Sequence, residues 1–251
     1  MGFPALLSLI AVVSCVWLLS VVPPVTADEP HALQAALISA MQGALCRIDA
    51  SEADSAFLPA TRDDALPDGY EPPDLISLAS LGLPQRGSWQ LRSTVVPDMA
   101  AMIEAAGSDG VALWVASGYR SYGVQAVTYR YWVGLRGVDG ADRVSARPGH
   151  SQHQLGTAAD MNLSGGLGSS QAGTWLWDHA QEYGFVFPYT AASTARSGYI
   201  FEPWHVRWVG KDLAQVMWED GYEYSSDLIA DDYVKAAREV LTNRSDGQCG
   251  V

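Results

Sequence analysis

The sequence predicts an α+β domain, and three observations carry that reading. At 251 residues, 48% hydrophobic and 17% charged, the chain is large and apolar enough to bury a core, which excludes a disordered chain and a disulfide-only miniprotein. Apolar residues recurring every three to four positions mark helices, while short apolar runs bounded by glycine and proline mark strands. The two kinds interleave without a regular βαβ repeat, which favours α+β over a doubly wound sheet. No internal repeat is visible.

The first 27 residues carry no charged side chain, and Ala5 to Val22 is an apolar run closed by Pro23-Pro24-Val25-Thr26-Ala27. Residues 1–27 read as a signal peptide cut after Ala27, where Val25 and Ala27 are small and the prolines break the helix ahead of the cut. An uncleaved membrane anchor is the alternative, because an apolar run of about 18 residues lies near the lower limit for spanning a bilayer. A lipid-modified Cys15 is the third, since Val12-Val13-Ser14-Cys15 loosely resembles a lipobox. All three place the remainder outside the cytoplasm.

Residues 28–65 read as an N-terminal helix and a connecting arm. Leu33, Ala36, Leu37, Ala40, Met41 and Leu45 step at helical spacing between His31 and Ile48, whereas Pro59, Pro67, Pro72 and Pro73 exclude a long regular element from Ser51 to Pro73. The main domain is expected over 66–224. Within it, helix is predicted from Pro97 to Ala106, strand from Val111 to Ala116 and helix from Val124 to Leu135. A loop should follow from Gly137 to Gly149, then a strand from Ala158 to Leu163 and a Trp-rich helix from Thr174 to Tyr183. Strands Phe185–Phe187 and Trp204–Val209 and a helix from Lys211 to Asp220 complete it. A C-terminal helix from Leu228 to Leu241 lies in a last segment, 225–251.

Fifteen Lys and Arg against 28 Asp and Glu give a net charge of −13, a field that repels phosphate backbones and argues against nucleic-acid partners. Beyond residue 27 the only cysteines are Cys46 and Cys249, and in an exported chain such a pair suggests one disulfide. Neither has a second cysteine or histidine at metal-ligand spacing.

The chemistry concentrates in two stretches. Ser151-Gln152-His153-Gln154-Leu155-Gly156-Thr157-Ala158-Ala159-Asp160 sets a His and an Asp seven residues apart, both zinc-ligand types that converge if a turn at Gly156 brings the chain back as a strand. Alone, the same pair also reads as a surface hydrogen bond. Glu202-Pro203-Trp204-His205-Val206-Arg207 adds a second His with a carboxylate three residues earlier. Pro203 disfavours helix at Glu202, and in polyproline geometry positions 202 and 205 would face the same way. Together the stretches offer His153, Asp160 and His205 as three protein ligands, with a fourth position left open as in catalytic zinc sites, and Glu202 as a general base.

Ser-x-His-x-x-Gly-x-Ala-x-Asp and Glu-Pro-Trp-His-x-Arg, with Ser117-Gly118-Tyr119-Arg120-Ser121 upstream, resemble the VanY-type zinc D-alanyl-D-alanine carboxypeptidases. Their wider group includes the VanX dipeptidases and the hedgehog and lysostaphin fold. The resemblance runs from about Leu66 to Gly221. It implies a small, mainly antiparallel sheet carrying one zinc ion held by His153, Asp160 and His205, flanked by helices. It also implies Glu202 as catalytic base and Arg120 polarising the scissile carbonyl or holding substrate. The implied substrate is a peptidoglycan stem peptide ending in D-Ala-D-Ala, hydrolysed outside the cell.

Arg120, Arg147, Ser151 and Gln125 are the candidates for polar substrate contacts, with Arg120 and Gln125 matching family positions best. Trp204 and Tyr199 are expected to wall the pocket. His150 reads as pocket rim, and His31 and His179 as structural histidines. Gln152 departs from the family, which commonly has an acidic residue before the first ligand, so the surroundings of the metal differ here. An endopeptidase or dipeptidase of the same fold, and a non-catalytic zinc or wall-binding module, are the alternatives. Retention of both Glu202 and Arg120 argues against the module, because zinc binding requires neither.

Overall fold

A computed structural model describes residues 57–162, 170–224 and 229–243. Residues 1–27, read above as a signal peptide, the stretch His31–Ile48, Cys46 and Cys249 lie outside the described residues. Among the described residues no helix is long and apolar enough to cross a membrane.

Six strands and six α-helices are described: β1 Leu75–Ser77, β2 Gln90–Arg92, α1 Val96–Ser108, β3 Val115–Ser117, α2 Tyr122–Asp142, β4 Ala158–Met161, α3 Gln171–His179, β5 Phe185–Val186, α4 Thr194–Ser197, β6 His205–Trp208, α5 Lys211–Glu219 and α6 Ala230–Asn243. β1 and β2 form an antiparallel pair, and β3-β4-β6-β5 form a four-stranded antiparallel sheet. This is the mixed helix and antiparallel-sheet architecture expected from the sequence.

The sheet sorts its residues by strand alternation. Ala159, Met161, Val206 and Trp208 join the main core with Met99, Met102 and Ile103 of α1, Leu213 and Met217 of α5, and Tyr233 and Val234 of α6. The opposite parity carries Asp160, His205 and Arg207. The register pairs Asp160 directly with His205 and Ala158 with Arg207, so the two candidate ligands are cross-strand neighbours. Trp208 Nε1 donates to Asp98 (2.9 Å) and Lys211 pairs with the same carboxylate (2.9 Å), fixing β6 and α5 to the first turn of α1.

Several boundaries differ from expectation for identifiable reasons. Val111, Leu113 and Val115 do alternate into the core, but ladder pairing begins only at Val115. Before that point the Asn162 side chain takes the place of a strand, accepting from Trp114 N (2.6 Å) and donating to Ala112 O (2.6 Å). Residues 138–142 are helical rather than loop, because α2 resumes beyond a break at Gly137 (φ 70°, ψ 176°). Of that stretch only Ala141 is buried, so it needs no apolar period to be helical. The three-residue strands β1 and β2 left no periodic signal.

The described part of the arm, from Phe57, packs on the domain. Phe57 sits in the main core, and Leu58, Ala60 and Leu66 pack around Leu155. Leu66 N donates to Gly149 O (2.7 Å), and the Thr61 carbonyl meets His150 Nδ1 (2.8 Å).

Candidate active site

The site is built where two turns deliver side chains to one end of β4 and β6. Gln152–Leu155 form a single 3-10 turn closed by Gly156 in the left-handed region (φ 69°). A Cβ at Gly156 would lie 2.9 Å from Arg92 Cγ and 3.0 Å from Leu75 Cδ2, so conformation and space both demand glycine. The turn presents His153, and the returning strand presents Asp160. On the other side Glu202 to His205 is not polyproline: His205 N donates to Glu202 O (3.1 Å), closing a β-turn with Pro203 at its second position. The turn still brings Glu202 and His205 to the same cavity.

The upstream motif has a task for nearly every residue. The Gly118 carbonyl meets His153 Nδ1 (2.7 Å), Tyr119 N donates to Gln90 O (2.9 Å) and Arg120 N to His153 O (3.2 Å). Ser121 Oγ caps α2 by accepting from Val124 N (3.3 Å). A carbonyl only accepts, so His153 carries its proton on Nδ1 and turns a bare Nε2 toward Asp160.

His153 Nε2 and His205 Nδ1 lie 3.3 and 3.1 Å from the same oxygen, Asp160 Oδ1. One donor atom from each of the three residues lies within 4.8 Å of the others, the grouping of a site that could hold a metal ion. His153 Nε2 is buried and makes no hydrogen bond despite its proximity to the carboxylate. Two imidazole nitrogens, one of them an orphaned buried atom, and one carboxylate oxygen fit a divalent ion of zinc's chemistry.

Burial, reinforced by the Arg120 charge, lowers the His153 pKa to about 4, so its imidazole is neutral at neutral pH and ready to ligate. Burial opposes the Asp160 charge, but the two imidazoles facing it outweigh burial and hold it well below the usual carboxylate range. Glu202 is the opposite case: burial, with the Asp160 charge adding to it and Arg120 opposing, pushes its carboxyl up to about 8 in the metal-free protein. Carboxylates with such divergent environments suit different roles.

A cavity of about 260 Å³ is lined by these groups together with Arg120, Gln125, Ser151, Trp204, Tyr199 and Tyr189. Of the residues singled out in the sequence as ligand, base or substrate contact, all but Arg147 therefore border one space. Among the described residues Arg120 is the only Lys or Arg along it, and burial lowers its pKa from the usual arginine value. Gln125 Nε2 donates to Ser145 Oγ (3.2 Å) and Ala146 O (2.6 Å), which turns Oε1, buried and without a partner, into an acceptor.

Other candidates fall elsewhere. Arg147 forms a two-pronged pair with Asp142 (3.0 and 2.8 Å) and lines a neighbouring cavity with His150, so it does not border the catalytic space. His179 pairs with Glu182 (2.9 Å). Sequence reasoning missed Tyr189, whose ring stands 5.0 Å from that of His205, and Asp231, reached through Gln152 and Arg207. Tyr189 follows an ordinary apolar strand and Asp231 opens an ordinary helix, so neither carried a local signal.

Comparison with known proteins agrees with the geometry. The family model for VanY, D-alanyl-D-alanine carboxypeptidase, matches residues 88–211. The chain is 33% identical over 186 residues to YodJ of Bacillus subtilis (strain 168), covering 70% of this chain and 66% of that protein. It is 31% identical over 137 residues to a D-alanyl-D-alanine carboxypeptidase of Enterococcus faecalis (strain ATCC 700802 / V583), covering 51% of each. The chain thus spans from two thirds to half of these relatives. Among solved structures, the LdcB LD-carboxypeptidase superposes with a TM-score of 0.62 at 32% identity, covering 70% of this chain and 84% of that one. VanYB in complex with D-Ala-D-Ala gives 0.58 at 28%, covering 66% and 93%. A D,D-pentapeptidase VanY from a VanB-type resistance cassette, in complex with Zn(II), gives 0.60 at 27%, covering 71% and 98%.

Proposed function

Because the chain belongs to the VanY D-alanyl-D-alanine carboxypeptidase family, whose members are zinc metallopeptidases, we propose that it removes the terminal D-alanine from peptidoglycan stem peptides outside the cytoplasm. One observation supports this most: a metal-ligand set, a separate carboxylate and a single buried guanidinium share one cavity. A binding module needs only the first. Export through residues 1–27 would bring the enzyme to that substrate.

One zinc ion held by His153, Asp160 and His205 would supply Lewis acidity toward the scissile carbonyl and make water nucleophilic near neutral pH. Glu202 takes the proton of the attacking water on its carboxylate and delivers it to the leaving amine nitrogen, so the carboxyl ends each cycle as it began. Arg120 donates to the developing oxyanion or grips the terminal carboxylate of the peptide, the two anionic groups that the reaction presents to this cavity. Gln125 Oε1 accepts from a substrate N–H, Ser151 Oγ supplies a second polar contact, and Trp204 walls the leaving residue.

A second reading is favoured by one finding: the LD-carboxypeptidase structure matches at 32% identity, above the 28% and 27% of the VanY structures. The scissile bond would then follow an L-centre. Mass spectrometry of stem pentapeptide and tetrapeptide incubated with the purified protein, with and without a chelator, separates the readings. Chelator-sensitive loss of one alanine from the pentapeptide is expected. Loss from the tetrapeptide alone would establish the L,D reading, internal cleavage the endopeptidase, and zinc binding without hydrolysis the module.

A further inference from the structure

A buried line of polar groups runs from the metal site into the C-terminal helix. His205 Nε2, on the ring edge away from Asp160, lies 3.1 Å from Gln152 Oε1. Gln152 Nε2 donates to Asp231 Oδ1 (3.3 Å), and Asp231 Oδ1 accepts from Arg207 Nη1 (3.2 Å). Arg207 Nη2 donates onward to Leu58 O (2.9 Å). Relative exposures of 3% for His205, 1% for Gln152, 5% for Asp231 and 0% for Arg207 put the line out of reach of bulk water. Arg207 shares a sheet face with His205, two residues away on β6, while Asp231 lies in the first turn of α6, beyond the family-matched residues 88–211.

We infer that Asp231 is a positioning residue for the metal site: through Gln152 it fixes which nitrogen of His205 carries the proton, and so leaves Nδ1 bare for the ion. The argument rests on donor and acceptor types. A glutamine amide is ambiguous, because rotation by 180° exchanges its oxygen and its NH₂. With the NH₂ turned to His205, the ring would keep Nε2 bare and hold its proton on Nδ1, the atom facing Asp160, and metal binding there would be blocked. A carboxylate accepts and never donates while ionised, so Asp231 forces the NH₂ of Gln152 toward itself. Oε1 then faces His205 and selects the Nε2–H form. Burial raises the Asp231 pKa, and the Arg207 guanidinium 3.2 Å from its Oδ1, with the N-terminus of α6, opposes that rise and favours the ionised carboxylate. A neutral residue at 152 thereby passes on the orienting effect of an acid one step further away. Partners of this kind typically change metal affinity by about 10–100-fold.

This inference rests on the zinc site proposed above and not on which peptide is cleaved. The test is zinc affinity of the full chain, by competition with a chromophoric chelator, for wild type, Gln152→Met, Asp231→Asn and the double variant Gln152→Glu/Asp231→Asn. Gln152→Met interrupts the line while sparing the Asp231–Arg207 pair, and it covers the case in which Asp231→Asn fails to fold. Weakening by about 10–100-fold is expected for both single variants, with recovery to within about threefold of wild type when Glu at 152 supplies the charge directly. A brace with no link to the metal would lower the melting temperature of Asp231→Asn and leave zinc affinity unchanged. Folded Gln152→Met with wild-type affinity, or a weakened Asp231→Asn that Glu at 152 does not rescue, overturns the inference alone. A wild-type chain that binds no zinc overturns the metal site as well.

Discussion

Replacing Glu202 by Gln in the metal-free protein should stabilise it, and by an amount that grows with pH. The Glu202 carboxyl has its pKa pushed from 4.5 to about 8 on folding, because its cavity disfavours the charge. Below pH 4.5 it is protonated in both states and contributes nothing to the pH dependence. Between 4.5 and 8 the unfolded chain releases the proton while the folded one keeps it, so folding stability falls as pH rises, and above 8 the loss is complete. Linkage gives about 1 kcal/mol at pH 5, about 3 at pH 7 and about 4 at pH 8. Water in the cavity screens part of this, so about 2–3 kcal/mol is the expected gain for Glu202→Gln at pH 7, or roughly 4–12 °C in melting temperature for a domain of this size. Urea unfolding of both proteins in the presence of a chelator, at pH 4, 5, 7 and 8, measures it. A difference that does not change with pH, or a variant less stable than wild type at pH 8, would refute the account of a buried carboxyl held protonated. Zinc should shrink the difference, because a cation beside the carboxylate favours its ionised form.

The same variant should keep its zinc and lose about 10²–10⁴ in kcat, since it lacks only the proton acceptor, whereas His205→Ala should lose zinc and activity together, both read by metal analysis beside turnover. Arg120→Lys keeps the charge and loses the planar fork; kcat lowered at least about tenfold with zinc unchanged assigns it to the transition state, and a raised KM assigns it to substrate binding, while near-normal kinetics for Arg120→Ala would remove both roles. Gly156→Ala places a Cβ against Arg92 and Leu75 at φ 69° and should cost about 1–3 kcal/mol by denaturant titration, with weakened zinc binding because the turn carrying His153 shifts.

The candidate ligands, base and guanidinium could be picked out because their signals are local: a glycine turn lies between His153 and Asp160, and Glu202 and His205 sit within one short motif. Helices with an apolar face were legible for the same reason, as α1 and α5 show. Features decided by long-range contacts were not. Asn162 replaces a strand for residues 112–114 through two side-chain hydrogen bonds, which no periodicity announces. Arg207, the last residue of the second motif, carries no role that the sequence announces, and it is fully buried against Asp231 and Leu58. Its partner lies 24 residues on in a helix with no chemical signature. Arg147 was ambiguous for the converse reason: its partner Asp142 is close in sequence but sits on a helical turn that read as loop.

The pairing of Asp160 with His205 also bears on how this fold can change without losing its chemistry. Both residues are fixed by the register of β4 against β6, and a slip of one residue would send His205 and Arg207 into the apolar layer and bring Val206 and Trp208 to the cavity. Metal loading is therefore a readout of sheet alignment, sensitive to a single-step error that a circular dichroism spectrum would miss. Conversely, among the described residues between these two candidate ligands, which include α3, β5 and α4, none supplies an atom to the metal group. Insertions or deletions around α4 that leave the β5–β6 pairing and Glu202 in place would reshape the cavity wall at Tyr189 and Tyr199 and leave the ligand geometry as it is, which makes that turn the place where substrate preference is freest to diverge.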